Sequence, residues 1–300
     1  MKGALKELKR KWKVLRGHEG FRRAPVLSVA RLVSLRTRCL LGKPAILKFR
    51  RWNVQMILPP RWRGIGKVFF AFREYYEPEL VYLENVLSPG KTFIDAGANF
   101  GIYSLVASRL VGQTGRVIAF EPSLQSFPVL QRNINLNNLT NVAAFRTALC
   151  EKTGTARLYH ADDPVSNSLG KDSSWGGEGE EVATETLDRA IEQASIQRVD
   201  VIKLDVEGAE ELVLRGARKV LTIMRPVIIF EVHPTAAARL GLSSSGASDL
   251  LKNLGYELSV LNEKVWGCGE KSPPIYFNVV AIPKAVTKAP MVSRTESADK

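Results

Sequence analysis

The chain has 300 residues, about 45% of them hydrophobic and 24% charged, with a net charge of +13. That supports one sizeable α/β domain with an appendage, or at most two domains, and no apolar run approaches the roughly 20 residues of a transmembrane helix. Cys39, Cys150 and Cys268 are far apart and form no CxxC pair, which argues against a disulfide framework or a zinc site and for a reducing, cytoplasmic setting.

The charge is concentrated at the start. Residues 1–51 hold sixteen Lys and Arg against Glu7 and Glu19, a net +14, while the remainder is close to neutral. A basic extension is therefore expected over residues 1–60, a main domain over 61–285 and a loose polar tail over 286–300. Residues 1–23 read as a helix or a loose arm. From Pro25 to Leu41 apolar residues alternate with Arg31, Arg36 and Arg38, as in an amphipathic helix. Such a segment beside so much positive charge is expected to favour an anionic membrane surface as a peripheral partner. The stretch "AILKFRRWNVQMILPP" reads as a hairpin, and "EPELVYLENVLSPG" as a helix stopped by Pro89-Gly90. Trp52, Trp62, Phe69, Phe70 and Tyr75 are read as core residues or as the wall of a cleft.

Beyond residue 91 strands and helices alternate. Strands are expected at Thr92 to Asp95, Gly115 to Phe120, "VAAFRTAL", "ARLYH", "EVATETL", Asp200 to Asp205, "PVIIFEVH", "YELSVL" and "IYFNVVAI". Helices are expected at Tyr103 to Leu110, "SFPVLQRNINLN", Ala209 to Leu221 and Ser248 to Leu254. This alternation implies a mostly parallel sheet with helices on both faces.

The first strand runs into Asp95-x-Gly97-x-x-x-Gly101. A dinucleotide-binding turn reads G-x-G-x-x-G and faces a pyrophosphate with its amides. Here a carboxylate stands at its lip, which disfavours NAD and suits a ligand with a cationic, phosphate-free end. S-adenosylmethionine is such a ligand. Glu121 ends the next strand, where an acid can accept both ribose hydroxyls.

With these residues in view, the blocks "FIDAGANFGIYSL", "VIAFEPSLQSFPVLQRNINLNNLTNV", "TETLD", "DVIKLDVEGAEELVLRGA" and "RPVIIFEVHP" resemble, in order, the FkbM family of S-adenosylmethionine-dependent methyltransferases. The resemblance covers about residues 76–283 and leaves residues 1–60 outside it. It implies the class I methyltransferase (Rossmann-like) fold, a seven-stranded, mostly parallel, doubly wound sheet. It also implies O-methylation of a hydroxyl on a sugar, glycan or secondary metabolite. Carried over position by position, Asp95, Gly97, Asn99 and Gly101 would line the methionine end of the cofactor and Glu121 would hold the ribose. Thr147 and Ala148 would lie near the adenine, Asp205 near the methyl group and the acceptor, and Glu207 and Gly208 would shape the next helix start.

A hydroxyl acceptor must lose its proton, so a general base is expected. His233 in "FEVHP" and Asp205 are the candidates, with His160 a weaker third. Asp205, Glu207 and Glu231 are a conceivable oxygen-ligand set for Mg²⁺, but acids after parallel strands more often bind the cofactor or cap a helix, and no metal is expected. The rival readings are an RNA methyltransferase using the basic arm, opposed by "DVEG" where an Asn/Asp-Pro-Pro-aromatic turn would be usual, and a non-catalytic binding module, opposed by the intact cofactor turn.

Overall fold

A computed structural model describes residues 16, 19–59, 71–72, 78–161, 166–172, 175, 179–262 and 276–284. Residues 1–15, Trp62, Phe69, Phe70, Tyr75, Cys268 and the tail from 285 onward lie outside the described residues.

The strands β3 (Thr92–Ala96), β4 (Arg116–Phe120), β5 (Val142–Phe145), β9 (Val201–Leu204), β10 (Val227–Val232), β11 (Tyr256–Asn262) and β12 (Phe277–Pro283) form one seven-stranded sheet in the order β11-β12-β10-β9-β3-β4-β5. All pairings are parallel except those that β12 makes with β10 and β11. Short apolar runs such as "VIAF" and "VIIF" suit strands buried on both faces. Their alternation divides the core in two. Phe93, Val117, Val201, Ile229 and Val280 pack on one face, and Ile94, Ile118, Ile202, Phe230 and Val279 on the other.

The first face is covered by α3 (Pro78–Val86), α4 (Ile102–Val111), α5 (Phe127–Leu136) and the hairpin of β1 (Ala45–Phe49) and β2 (Val54–Leu58). The hairpin is tied down by side-chain amides of α5. Asn133 Oδ1 accepts Ile57 N at 2.7 Å and Asn137 Oδ1 accepts Gln55 N at 2.7 Å. Trp52 is buried in this core, its indole N–H donating to Glu84 at 2.7 Å. The helix α2 (Pro25–Leu40), which follows the short α1 (Glu19–Arg23), is less enclosed. Val26 is 82% exposed, Val33 61% and Leu40 79%, while Ser28 and Leu35 are buried.

Two expectations need correction. "VAAFRTAL" is two strands: β5 joins the main sheet, whereas β6 (Ala148–Leu149) pairs into a small sheet with β7 (Gly154–Tyr159) and β8 (Gly179–Glu185). The helix expected over 209–221 stops after Arg215, at Gly216, and a π-turn follows over Val220–Met224. A Cβ on Gly216 would lie 2.1 Å from the Cys150 carbonyl oxygen, so only glycine fits that corner. Two short helices went unread. One, Leu187–Gln193, has Thr186 Oγ1 accepting Arg189 N; the other, Pro234–Arg239, starts with His233 as cap and Pro at its first position.

Candidate active site

The strand order reverses between the parallel β3 and β9, and ligands of open α/β sheets bind beyond the carboxyl ends of the strands at such a point. A cavity of about 220 Å³ lies there, lined by Gly97 to Phe100, Glu121, Thr147, Ala148, Asp205, Glu207, Glu231, His233, Tyr276 and Asn278 among others. The hairpin contributes Met56 to its wall.

The turn after β3 is built for close approach. Gly97 N and Ala98 N both donate to Phe120 O at 2.9 Å, and Asp205 N donates to Ala96 O at 3.0 Å. Gly97 has φ +78°, and a Cβ there would stand 2.0 Å from Asp205 O, inside the backbone of the neighbouring strand end. Gly101 has φ +93°, and its Cβ would meet Leu130 at 2.5 Å. Glu121 is buried and holds the turn from the side, accepting Asn99 N at 2.8 Å and Ser123 N at 2.9 Å on its two oxygens. Burial pushes its carboxyl up to about 7 despite those bonds. One lone pair on each oxygen is left over, and the residue faces the cavity.

Asp95 lies elsewhere. Its side chain is 1% exposed and accepts Ser104 Oγ at 2.5 Å beneath the turn, and it does not line the cavity. Burial raises its carboxyl to about 6, against the hydrogen bond from Ser104 and the Lys203 charge. Asp95 and Lys203 stand abreast in the parallel register. Lys203, 1% exposed, reaches Asp205 Oδ2 at 3.1 Å and lies 5.0 Å from the centre of the Tyr103 ring. Sequence reasoning missed Lys203, although a lysine inside "VIKL", where a buried strand should be apolar, was a signal.

The "DVEG" loop then joins two elements. Glu207 has φ +52° and Gly208 φ +98°. A Cβ on Gly208 would lie 2.4 Å from the Ala236 backbone, so the loop presses against the helix that His233 begins. Glu210 Oε1 accepts Val206 N and Gly208 N at 3.2 and 3.3 Å, with burial raising its carboxyl to about 7. One ligand oxygen each of Asp205, Glu207 and Glu231 lie within 4.8 Å of one another. Burial first, and then the charge of Asp205, pushes both Glu207 and Glu231 well above the ordinary carboxylate range.

His233 caps its helix through Nδ1, which accepts Ala236 N at 3.2 Å, and its ring stacks on Tyr276 with centroids 5.7 Å apart. Burial, then the charge of Arg239, lowers its pKa, so the ring is neutral near pH 7. Since Nδ1 accepts, the ring hydrogen of that neutral form sits on Nε2. His160 is 3.8 Å from Glu180 and does not line the cavity. Thr147 and Ala148 do line it, beyond the end of β5. Asn278 and Tyr276, from the antiparallel β12 side, gave no motif to read.

The sheet order, with one antiparallel strand inserted beside the edge and a glycine turn and acidic strand end at the reversal, defines a class I methyltransferase. The chain belongs to the FkbM methyltransferase domain family, which matches residues 95–258. It is an S-adenosylmethionine-dependent methyltransferase. It is 30% identical over 178 residues to methyltransferase sdnD of Sordaria araneosa, covering 49% of this chain and 68% of that one. It is 25% identical over 203 residues to the 31-O-demethyl-FK506 methyltransferase FkbM of Streptomyces tacrolimicus, covering 58% of this chain and 77% of the relative. Identity to the hexuronic acid methyltransferase AglP of Haloferax volcanii is 29% over 139 residues, 46% of this chain and 54% of the relative.

Proposed function

We propose that the protein methylates a hydroxyl oxygen of a sugar, glycan or secondary metabolite. The supporting observation is that one cavity touches both a buried acid beside a glycine turn and, across β9, a cluster of acids with a histidine. The FkbM and AglP relatives, named for methylation of an FK506 precursor and of a hexuronic acid, favour this acceptor class. S-adenosylmethionine supplies an activated methyl group when bound.

The chain's residues fit that cofactor. A side chain at Gly97 or Gly101 would fill the cradle, and the remaining lone pairs of Glu121 suit a pair of ribose hydroxyls. Asn99 and its turn would take the methionine end, and Thr147 with Ala148 the adenine. Asp95 would act from beneath, by fixing Ser104 at the start of α4 and balancing Lys203. At the other end, Asp205 would accept the acceptor's proton. His233 would donate Nε2–H to orient the acceptor oxygen, because its Nδ1 is committed to the helix cap. Alignment in a closed pocket supplies much of the remaining rate.

The test is transfer of labelled methyl to a panel of hydroxylated glycans and metabolites. Asp205→Asn is expected to lower turnover by roughly 10²–10⁴-fold. A silent Asp205→Asn would contradict its role, and no transfer to any hydroxyl would contradict the acceptor class.

We further propose a division into an extension (1–60), a methyltransferase domain (61–285) and a tail (286–300), with the extension's hairpin packed into the domain's core. The net +14 of residues 1–51 and the exposed Val26, Val33 and Leu40 would favour an anionic lipid surface. Among the described residues no helix is long and apolar enough to cross a membrane, so the contact would be peripheral. Equal co-sedimentation with anionic and neutral vesicles at physiological salt would contradict it.

A further inference from the structure

We propose that Asp205, Glu207, Glu231 and the side-chain oxygen of Asn278 form a site for one hard divalent cation, of the Mg²⁺ or Mn²⁺ kind, at the acceptor end of the cavity. Its place in catalysis rests on the methyltransferase reading, whereas its existence as a binding site does not.

Two observations converge on it. The first is the acidic cluster. Three carboxylates, two from the loop after β9 and one from β10, bring their ligand oxygens within 4.8 Å of one another. Ions holding oxygens at about 2.1–2.4 Å separate their ligands by roughly 3–5 Å.

The second is Asn278, 6% exposed and lining the same cavity. Its Nδ2 donates to Glu79 Oε1 at 2.7 Å. A carboxylate partner fixes which end of the amide is nitrogen, so Oδ1 is the opposite end. That oxygen is buried and has no hydrogen-bond partner among the described residues. Asn278 is the direct partner of Glu231 in the antiparallel register, and directly opposed residues share a face of the sheet. The orphan oxygen therefore stands on the side of the sheet that carries Glu231.

Charge points the same way. Lys203 meets Asp205 at 3.1 Å and offsets one carboxylate. Arg239, the next cation, is held by Asp172 at 2.6 Å, with its guanidinium over the Trp175 ring. With Asp205 offset by Lys203, Glu207 and Glu231 are the carboxylates of the cluster that a divalent ion would neutralise. All four donors are oxygens, the set a hard cation prefers over softer metals. A cation bound there would lower the pKa of an acceptor hydroxyl, and Asp205 would then act as a ligand of that ion rather than as the direct proton acceptor. This complements a histidine whose Nδ1 is engaged.

The experiment is a Mn²⁺ titration of the full chain, followed by calorimetry and by loss of the free-ion paramagnetic resonance signal, with S-adenosylhomocysteine titrated into the same preparation. One Mn²⁺ per chain is expected, weakened at least roughly tenfold in both Glu231→Gln and Asn278→Ala, with Mg²⁺ competing. Circular dichroism identifies a variant that has unfolded, and Glu207→Gln replaces it in the comparison. Absence of Mn²⁺ binding by wild type up to about 10 mM, well above ordinary divalent-site affinities, would overturn the proposal. So would affinity unchanged in the folded variants. S-adenosylhomocysteine binding without Mn²⁺ binding defeats the cation site alone. The reverse result upholds the site and defeats the placement of the methyl donor in this cavity.

Discussion

The two ends of the cavity are finished to different degrees. At the Glu121 end every turn amide that bears on the acid is satisfied: Asn99 N and Ser123 N hold the carboxylate, and Gly97 N and Ala98 N hold the strand end. At the Asp205 end three carboxylates crowd together and an asparagine oxygen has no donor among the described residues. The first end is pre-organised by its own backbone, as suits a cofactor that is always the same. The second keeps unspent charge and acceptors, as suits a site completed by what it binds. Preorganised dipoles act without reorganisation at the moment of reaction.

Gly97 breaks this contrast most severely, because it joins the two ends. In Gly97→Ala the new Cβ would meet Asp205 O at 2.0 Å with φ at +78°, and backbone cannot yield as a side chain does. A loss of about 3–5 kcal/mol in denaturant unfolding is expected. Gly42→Ala is the control: φ is +63° but nothing lies within 4 Å of its Cβ. About 1 kcal/mol is expected there. Equal effects would show that the approach of the two strand ends is not tight.

The titration of Glu121 sharpens it. Its carboxyl is raised to about 7 from an ordinary 4.5, so the folded protein binds this proton more tightly than the unfolded chain does. Stability without cofactor should therefore be fullest below about 4.5 and fall as pH rises toward 7. Glu121→Gln should remove about 2–3 kcal/mol of that fall, read from unfolding midpoints between pH 5 and pH 8. Glu210 and Asp95, raised to about 7 and 6, contribute falls of the same sign that the variant keeps. Ribose hydroxyls favour the ionised form, so cofactor affinity should run the other way and rise with pH. An unchanged stability slope in Glu121→Gln would mean that Glu121 is already ionised in the folded protein.

Much of this site could be read from residue order. In "FIDAG", "VIAFE", "VIKLD" and "VIIFE" the polar residue always falls on the same alternate position as the apolar residues facing one core. Once the strands are parallel and in register, Asp95, Glu121, Lys203, Asp205 and Glu231 come to one face at one end. What stayed illegible depended on contacts distant in sequence. Asn278 meets Glu231 only through antiparallel pairing, and Gly216 ends its helix because Cys150 is there. Asp95 was legible as an acid at the turn, but its direction was not, since Ser104 nine residues later turns the carboxylate inward. The break in "VAAFRTAL" followed from pairing of Ala148 and Leu149 with Thr184 and Glu185, which no local pattern announces.

The most direct measurement is calorimetry of S-adenosylhomocysteine and NAD against the wild-type chain and Glu121→Ala. S-adenosylhomocysteine should bind the wild type in the micromolar range, about −8 kcal/mol, and Glu121→Ala should weaken it by about 1–3 kcal/mol while the protein remains folded. Binding of NAD with no binding of S-adenosylhomocysteine would contradict the placement of a methyl donor in this cavity.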